Sequence, residues 1–103
     1  MSDRITKLRE MLASEPDDPF CLYGLAQEYA RLGDVTRALA HYDEVLRVDP
    51  DHCYAYFHKA RVQEDEGEVA AAIETLQEGL ERANAVGDAQ AINEISAYLD
   101  ELS

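Results

Sequence analysis

Residues 22–50 read LYGLAQEYARLGDVTRALAHYDEVLRVDP, and residues 56–84 read YFHKARVQEDEGEVAAAIETLQEGLERAN, which is the same pattern displaced by 34 positions. The identical residues at equivalent positions include Ala26/Ala60, Gly33/Gly67, Ala38/Ala72, Glu44/Glu78 and Leu46/Leu80. A fixed period of this length indicates a stacked repeat, in which each unit buries its apolar face against the next. The period therefore decides the architecture before any single residue is considered.

Each copy contains two segments whose apolar residues recur at helical spacing. In the first copy these residues are Leu22, Leu25, Ala26, Tyr29, Ala38, Leu39, Tyr42, Val45 and Leu46. Gly33 separates the two segments, because a glycine can end a helix in the left-handed conformation and an acidic residue after it can cap the next helix. Pro50 ends the second segment, because proline disfavours a helical residue before it. Each unit is therefore predicted to be an antiparallel helical hairpin.

This pattern resembles the tetratricopeptide repeat, whose signature is Trp-x2-Leu-Gly-x2-Tyr followed by Ala-x3-Phe and Pro. The first copy matches the signature well, and the second copy is looser. In the second copy Lys59 and Gln63 occupy places that are usually apolar, and Asn84 replaces the proline that ends the helix. The second helix of that copy is therefore expected to continue to about Val86.

The ends of the chain fit the same frame. The N-terminal segment aligns with the second helix of a repeat whose first helix is missing, and the C-terminal segment fits a first helix. We therefore predict one all-α domain, a short tetratricopeptide-like α-solenoid of antiparallel helical hairpins with about six helices. Its predicted parts are a single domain over residues 1–103, an N-terminal half-repeat helix (2–15), repeat 1 (19–52), repeat 2 (53–86) and a C-terminal capping helix (88–102).

The charge of the chain is strongly negative and uneven. It contains 22 acidic and 9 basic residues, a net charge of −13, and residues 60–103 hold eleven acids against only Arg61 and Arg82. Binding to nucleic acid or to anionic membranes depends on lysine and arginine, so neither is expected. We expect a protein or peptide partner, and basic segments of that partner would be attracted to the C-terminal half. Alternatively, the acidic residues only keep the protein in solution.

Composition favours a cytoplasmic protein. The chain has no basic-then-apolar leader and no apolar run of about 18 residues, so neither export nor membrane spanning is expected. Cys21 and Cys53 do not form a closely spaced pair. Because cytosolic thiols stay reduced, we expect two buried or half-buried thiols rather than a disulfide.

The family resemblance implies which residues contact a partner. Members line a concave groove with first-helix side chains, and the places concerned hold Phe20, Tyr23, Gln27, Tyr54, Phe57, His58, Arg61 and Asn93. Aromatic rings beside one arginine and a few amides suit an extended peptide or a partner helix, because the rings supply binding energy and the polar groups fix the register. The alternative is that these rings only pack between neighbouring helices.

Some members of the family clamp the C-terminal carboxylate of chaperone tails with lysine and asparagine residues on these helices. The corresponding places here carry Tyr23, Gln27, His58, Gln90 and Glu94. Four of the five lack the expected residue, and the surrounding charge is negative. A chaperone clamp is therefore not expected.

Catalysis and metal binding have one weak candidate, the pair His52-Cys53 together with His58. Nucleophilic catalysis needs a thiol within hydrogen-bonding reach of a base, and Cys53 and His58 do not share a helical face cleanly. Structural metal sites bring four ligands with closely paired spacing, and no second pair exists here. We therefore predict that the protein is not an enzyme and has no cofactor and no metal site.

Self-association is the second hypothesis for function. Ile5, Leu8, Met11 and Leu12 form an apolar stripe on the N-terminal helix, which lacks the covering helix that a longer array would supply. If Ile5 or Met11 is exposed, two chains could pair there as a weak homodimer. The chain would then act as a homo-oligomeric structural unit.

Overall fold

The computed structural model describes residues 3–103. Its helices are α1 (Asp3–Ser14), α2 (Pro19–Arg31), α3 (Val35–Val48), α4 (Cys53–Asp65), α5 (Val69–Val86) and α6 (Ala89–Leu102). Over residues 3–103 there are six helices and no β-strand, which confirms the predicted all-α class. Residue 2, the first position of the predicted N-terminal helix, lies outside the described residues. No helix in the described part of the chain combines the length and the apolar character needed to cross a bilayer.

The helices group into two compact units, one ending at Asp49 and the other comprising Pro50–Ser103. In the first unit α1 and α3 both pack against α2. In the second unit α4 and α6 both pack against α5, and α6 also touches α4. Each unit thus contains one helical hairpin of the predicted kind and one further helix. The single domain and the repeat boundaries given above stay predictions.

The turns of the two hairpins have the same backbone geometry. Gly33 and Gly67 have φ angles of 81° and 80°, in the left-handed region where a side chain would be strained. The residue after each glycine, Asp34 or Glu68, donates its backbone N–H at 2.9 Å to the carbonyl oxygen five residues earlier. This pair of features is the common glycine-based ending of a helix, so the predicted role of the two glycines is confirmed.

The acidic residue after the glycine caps the next helix in one hairpin only. The Asp34 carboxylate accepts the backbone N–H of Arg37 at 3.2 Å. Glu68 makes no such bond, so the predicted capping is wrong there, because aspartate and not the longer glutamate is among the preferred capping residues. Helix α5 ends at Val86 as expected, and Asp88 caps α6 in the same way as Asp34 caps α3.

Each unit buries its own set of apolar side chains. In the first unit they are Ile5, Leu8, Cys21, Leu22, Leu25, Ala26, Tyr29, Ala38, Tyr42 and Val45. In the second unit they are Cys53, Ala55, Tyr56, Ala60, Val62, Ala72, Leu76, Ala83, Ala91, Ile95 and Tyr98. The four alanines that recur in the two copies are fully buried, as small residues are where helix axes approach closely.

Both cysteines are buried thiols. The Cys21 thiol lies 3.5 Å from a carboxylate oxygen of Asp18, the residue that caps α2. Burial, together with this negative neighbour, raises the pKa of the Cys21 thiol above its usual value. Cys21 is therefore protonated at neutral pH and acts as a small apolar residue.

Candidate peptide-binding surface

One face of α4 carries four of the residues predicted to bind a partner. Tyr54, Phe57, His58 and Arg61 recur at spacings of three and four, which places them side by side on a helix. Arg61 is exposed, and the other three side chains are half-buried. This face of the second unit therefore combines accessible rings with one cation.

Two aromatic rings hold the guanidinium group of Arg61. Its central carbon lies 5.5 Å from the centre of the Phe57 ring and 5.2 Å from the centre of the Tyr98 ring. The two ring centres are themselves 5.3 Å apart, with the planes inclined by 55°. Cation–π attraction of this kind restricts an otherwise flexible side chain. Less conformational freedom is then lost when the guanidinium binds a partner group.

Tyr98 reaches this cluster from α6 and was not predicted. It is buried, and its hydroxyl donates a hydrogen bond to the carboxylate of Glu64. Burial and this hydrogen bond raise the pKa of Tyr98 to about 12. The family resemblance did not include its position among the partner-binding places. The sequence feature that could have identified it is that Tyr98 is the only aromatic residue of α6 and lies one helical turn after Glu94, on the same face of the helix.

A second link between α4 and α6 joins Tyr54 to Glu94. Burial, followed by a hydrogen bond from the phenol to the Glu94 carboxylate, raises the pKa of Tyr54. Asn93 precedes Glu94 and is exposed. The Asn93 amide can donate and accept hydrogen bonds, as recognition of a peptide backbone requires.

His58 completes the set on α4. Its ring centre lies 5.4 Å from that of Phe57, in an edge-to-face arrangement with an interplanar angle of 81°. Burial, and then the positive charge of Arg61, lower the pKa of His58 below its usual value. The imidazole is therefore neutral at neutral pH, so it can both donate and accept a hydrogen bond.

The first unit presents the other three predicted residues, Phe20, Tyr23 and Gln27, on one face of α2. Phe20 is 70% exposed and Gln27 is also exposed. Tyr23 is half-buried, and its ring centre lies 6.1 Å from that of Tyr42 at an angle of 64°. Tyr23 therefore contributes to packing between α2 and α3, while Phe20 and Gln27 are accessible to a partner.

The pair His52-Cys53 is used at the start of α4. The His52 Nδ1 accepts the backbone N–H of Ala55 at 3.2 Å, which caps the helix. The Cys53 thiol donates to the carbonyl oxygen of Asp51 at 3.5 Å. Within residues 3–103 no three histidine, cysteine or acidic side chains are grouped so that they could hold a metal ion. Both side chains therefore make hydrogen bonds at the start of α4.

The apolar stripe of α1 is only partly accessible. Ile5 and Leu8 are buried, with 2% and 5% of their surface exposed, whereas Met11 is 50% exposed. Of the two residues named for self-association, only Met11 therefore lies on the surface. The guanidinium of Arg9 donates a hydrogen bond to the hydroxyl of Tyr29, which fixes α1 to α2.

Comparison with known proteins gives consistent matches. The sequence model of the tetratricopeptide repeat matches residues 23–87. A TPR repeat-containing protein of Pseudomonas aeruginosa is 30% identical over 98 residues, which cover 95% of this chain and 93% of that protein. The solution NMR structure of a tetratricopeptide repeat domain protein from Salinibacter ruber matches with a TM-score of 0.80 and 32% identity, covering 85% and 89% of the two chains. The TPR2B domain of yeast Sti1, in its complex with pHsp70, matches with a TM-score of 0.87 and 26% identity, covering 95% and 78%.

Proposed function

Because the chain belongs to the tetratricopeptide repeat family, whose members generally act as non-catalytic interaction modules, we propose that it binds a peptide or a helix of a partner protein. The binding residues are those of the first helices, in particular Phe20 and Gln27 on α2 and Phe57 and Arg61 on α4. The observation that carries the proposal is that the guanidinium of Arg61 lies over two neighbouring rings, those of Phe57 and Tyr98, on an accessible face.

The chemistry of this face defines what the partner supplies. The planar guanidinium of Arg61 pairs with a carboxylate or with backbone carbonyls of the partner. Tyr54 and Phe57 offer ring surface to an apolar side chain, and aromatic anchors of this kind carry much of the energy at interfaces. The exposed amide of Gln27 in the first unit and that of Asn93 in the second can each hydrogen-bond to a partner backbone.

The charge of the second unit favours a partner with basic segments flanking the group that meets Arg61. Eleven acids and two bases in residues 60–103 attract such segments at low salt. The complex of the yeast domain with pHsp70 is a property of that protein. We do not extend it to this chain, because Tyr23, His58 and Glu94 stand at places where chaperone-tail clamps carry other residues.

We further propose that the protein works without a catalytic step, without a cofactor or metal, and in the cytoplasm. The side chains of His52 and Cys53, which were the one candidate pair for such chemistry, are engaged at the start of α4. An interaction module also accounts for the rings and amides on α2 and α4 without requiring a reaction.

Arg61→Glu tests the proposal, with Arg82→Glu as the matched control. Both arginines belong to the second unit, and both changes alter the charge equally. Arg82 lies on α5, and its guanidinium is 3.5 Å from a carboxylate oxygen of Asp51. Wild type and both variants are used to capture partners from a lysate of the source cells, and circular dichroism verifies that each is folded.

We expect wild type and Arg82→Glu to recover the same partner and Arg61→Glu to lose it. Equal recovery by all three proteins would contradict the proposal and leave the rings with a packing role only. For a recovered partner, chemical shifts of the side-chain amides of Gln27 and Asn93 report directly whether these residues contact it.

A homo-oligomeric structural unit is the alternative function. The exposed side chain of Met11 supports it, whereas the burial of Ile5 reduces the apolar surface that two copies could share. Sedimentation velocity over a wide range of protein concentration decides between a peptide-binding module and a homo-oligomeric unit. A monomer at every concentration removes this alternative, and a dimer that Met11→Glu dissociates establishes it.

A further inference from the structure

Arg61 and Glu64 carry opposite charges one helical turn apart on α4, but they form no ion pair. Opposite charges at this spacing on a helix commonly attract each other and pair. In the part of the chain that the structure describes, however, Arg61 makes no ion pair with any acidic side chain. Its guanidinium lies over the rings of Phe57 and Tyr98 instead. Spacing alone therefore does not decide where these two charges go.

The first unit shows that pairs at this spacing do close in this protein. The guanidinium of Arg31 on α2 is bonded to the carboxylate of Glu28, three residues before it. On α3 the base precedes the acid, as it does at Arg61, and Nδ1 of His41 lies 3.3 Å from a carboxylate oxygen of Glu44. Neither order of the two charges prevents pairing, so the open pair on α4 requires a local cause.

The local cause is Tyr98 on α6. Its hydroxyl donates a hydrogen bond to the carboxylate of Glu64. Its ring and that of Phe57, with centres 5.3 Å apart, both lie beside the guanidinium of Arg61. Burial, followed by the bond to Glu64, raises the pKa of Tyr98 to about 12, so the phenol is protonated at neutral pH and remains a donor. One side chain thus contacts both the acid and the base that would otherwise pair.

We propose that Tyr98 is a positioning residue for partner binding, which holds Glu64 away from Arg61 and leaves the guanidinium available to a carboxylate of the partner. The inference rests on the proposed function, because it concerns the group that Arg61 meets there. An arginine that is already paired within the protein has to give up that pair before it binds a partner, whereas Arg61 does not. Tyr98 is buried, so it acts through Arg61 rather than by touching the partner.

The variant Tyr98→Phe separates the two contacts of this side chain. It keeps a ring beside Arg61 and removes the hydroxyl, so the released carboxylate of Glu64 is expected to pair with Arg61. Adding Glu64→Gln removes the competing charge and is expected to free Arg61 again. Adding Asp65→Asn instead is the matched control, because Asp65 is an exposed acid one residue further along α4 and the change removes the same charge. Circular dichroism verifies that each variant is folded.

NMR of the folded protein measures the position of Arg61 without any partner. The rings displace the resonances of its δ-methylene protons upfield while the guanidinium lies over them. We expect Tyr98→Phe to reduce this displacement, the addition of Glu64→Gln to restore it, and the addition of Asp65→Asn to leave it reduced. A purely structural role for Tyr98 predicts the same resonances in all three variants. That result, or unchanged resonances in Tyr98→Phe, overturns the proposal.

Binding is measured with a synthetic peptide of about 12 residues, the length of an ordinary helix. The peptide has one central glutamate, leucines at helical spacing and lysines near both ends, and a matched peptide has glutamine in place of the glutamate. Residues 60–103 hold eleven acids and two bases, so non-specific attraction favours the glutamine peptide. A preference for the glutamate peptide therefore reports the guanidinium of Arg61.

We expect wild type to bind the glutamate peptide about fivefold more tightly than the glutamine peptide, as measured by fluorescence anisotropy. Tyr98→Phe is expected to lose the preference, and Glu64→Gln, but not Asp65→Asn, to restore it. An equal loss with and without Glu64→Gln contradicts the role of Tyr98. If wild type binds both peptides equally while the Arg61 resonances behave as expected, the partner carboxylate of the proposed function is wrong and the separation of Glu64 from Arg61 by Tyr98 stands. The two failures are therefore distinguishable.

Discussion

The hairpin α2–α3 and the hairpin α4–α5 follow one sequence pattern but fill their interiors differently. In the second hairpin Tyr56 lies against Gly79, where a Cβ atom would be 2.6 Å from the Cβ of Tyr56 and 3.0 Å from its Cγ. The equivalent residues of the first hairpin are Leu22 and Val45, which are both buried. In the second hairpin the larger Tyr56 on α4 thus faces a glycine on α5, whereas in the first hairpin the smaller Leu22 on α2 is matched with a valine on α3. The comparison teaches that the repeat fixes the space between its helices and not the residues that fill it.

A second pair of positions changes together in the same way. In the first hairpin the rings of Tyr29 and His41 stack with an interplanar angle of 7°. Their equivalents are Gln63 and Thr75, and the Thr75 hydroxyl donates to the amide oxygen of Gln63 at 2.7 Å. A polar residue at the usually apolar place of Gln63 is therefore tolerated, because its partner on the facing helix supplies a hydrogen bond.

The largest effect is expected from breaking the tight contact of the second hairpin. Gly79→Val places a branched side chain where even a Cβ atom overlaps Tyr56, so we expect a loss of about 3 kcal/mol in the free energy of unfolding. Adding Tyr56→Leu recreates the residue pair of the first hairpin and is expected to recover more than half of the loss. Urea denaturation of the single and double variants measures both values. A double variant no more stable than Gly79→Val would show that the two hairpins do not share one interior geometry.

The polar pair of the second hairpin is expected to show the next largest effect. Thr75→Val keeps the shape of the buried side chain but leaves the amide oxygen of Gln63 without its donor, which costs about 1.5 kcal/mol of unfolding free energy. Thr75→Ser retains the hydroxyl and is expected to lose less. Urea denaturation compares the two variants, and an unchanged unfolding free energy in Thr75→Val would show that this hydrogen bond does not stabilise the protein.

A smaller effect, which depends on pH, is expected at α6, the further helix of the second unit. The hydroxyl of Tyr98 on α6 donates a hydrogen bond to Glu64 on α4. Tyr98→Phe removes this bond and is expected to lower the unfolding free energy by about 1 kcal/mol at neutral pH. The folded protein raises the pKa of Tyr98 from 10.0 to about 12, so this stabilisation is complete below pH 10 and is lost as the pH rises through 12. We therefore expect the unfolding free energy of Tyr98→Phe to fall less steeply from pH 10 to 12 than that of wild type. Parallel pH profiles for the two proteins would contradict this assignment.

The smallest expected effect concerns the caps that distinguish the two hairpins. Glu68→Asp gives the second hairpin the capping residue of the first and is expected to raise the unfolding free energy by about 0.5 kcal/mol. The converse change, Asp34→Glu, removes the bond to the backbone of Arg37 and is expected to lower the melting temperature. Thermal denaturation followed by circular dichroism measures both. A cap that is equally good with either residue would leave both melting temperatures unchanged.

Part of the candidate site could be predicted from sequence because repeat position decides which face of a helix a residue occupies. Repeat position placed four residues on one face of the predicted helix, and α4 contains all of them at spacings of three and four: Tyr54, Phe57, His58 and Arg61. Tyr98 could not be found in this way. Its place beside Arg61 depends on how α6 lies against α4, and that arrangement joins residues far apart in the chain.

The sequence by itself determined the number of helices, the glycine turns at Gly33 and Gly67, and the continuation of α5 to Val86. These features depend on local backbone preferences and on the helical spacing of apolar residues, both of which can be read within a few turns of chain. Only the tertiary structure decided that Gly79 accommodates Tyr56 and that Met11, unlike Ile5, remains exposed. Contacts and exposure of this kind follow from the crossing of helices, which the order of residues along one helix does not specify.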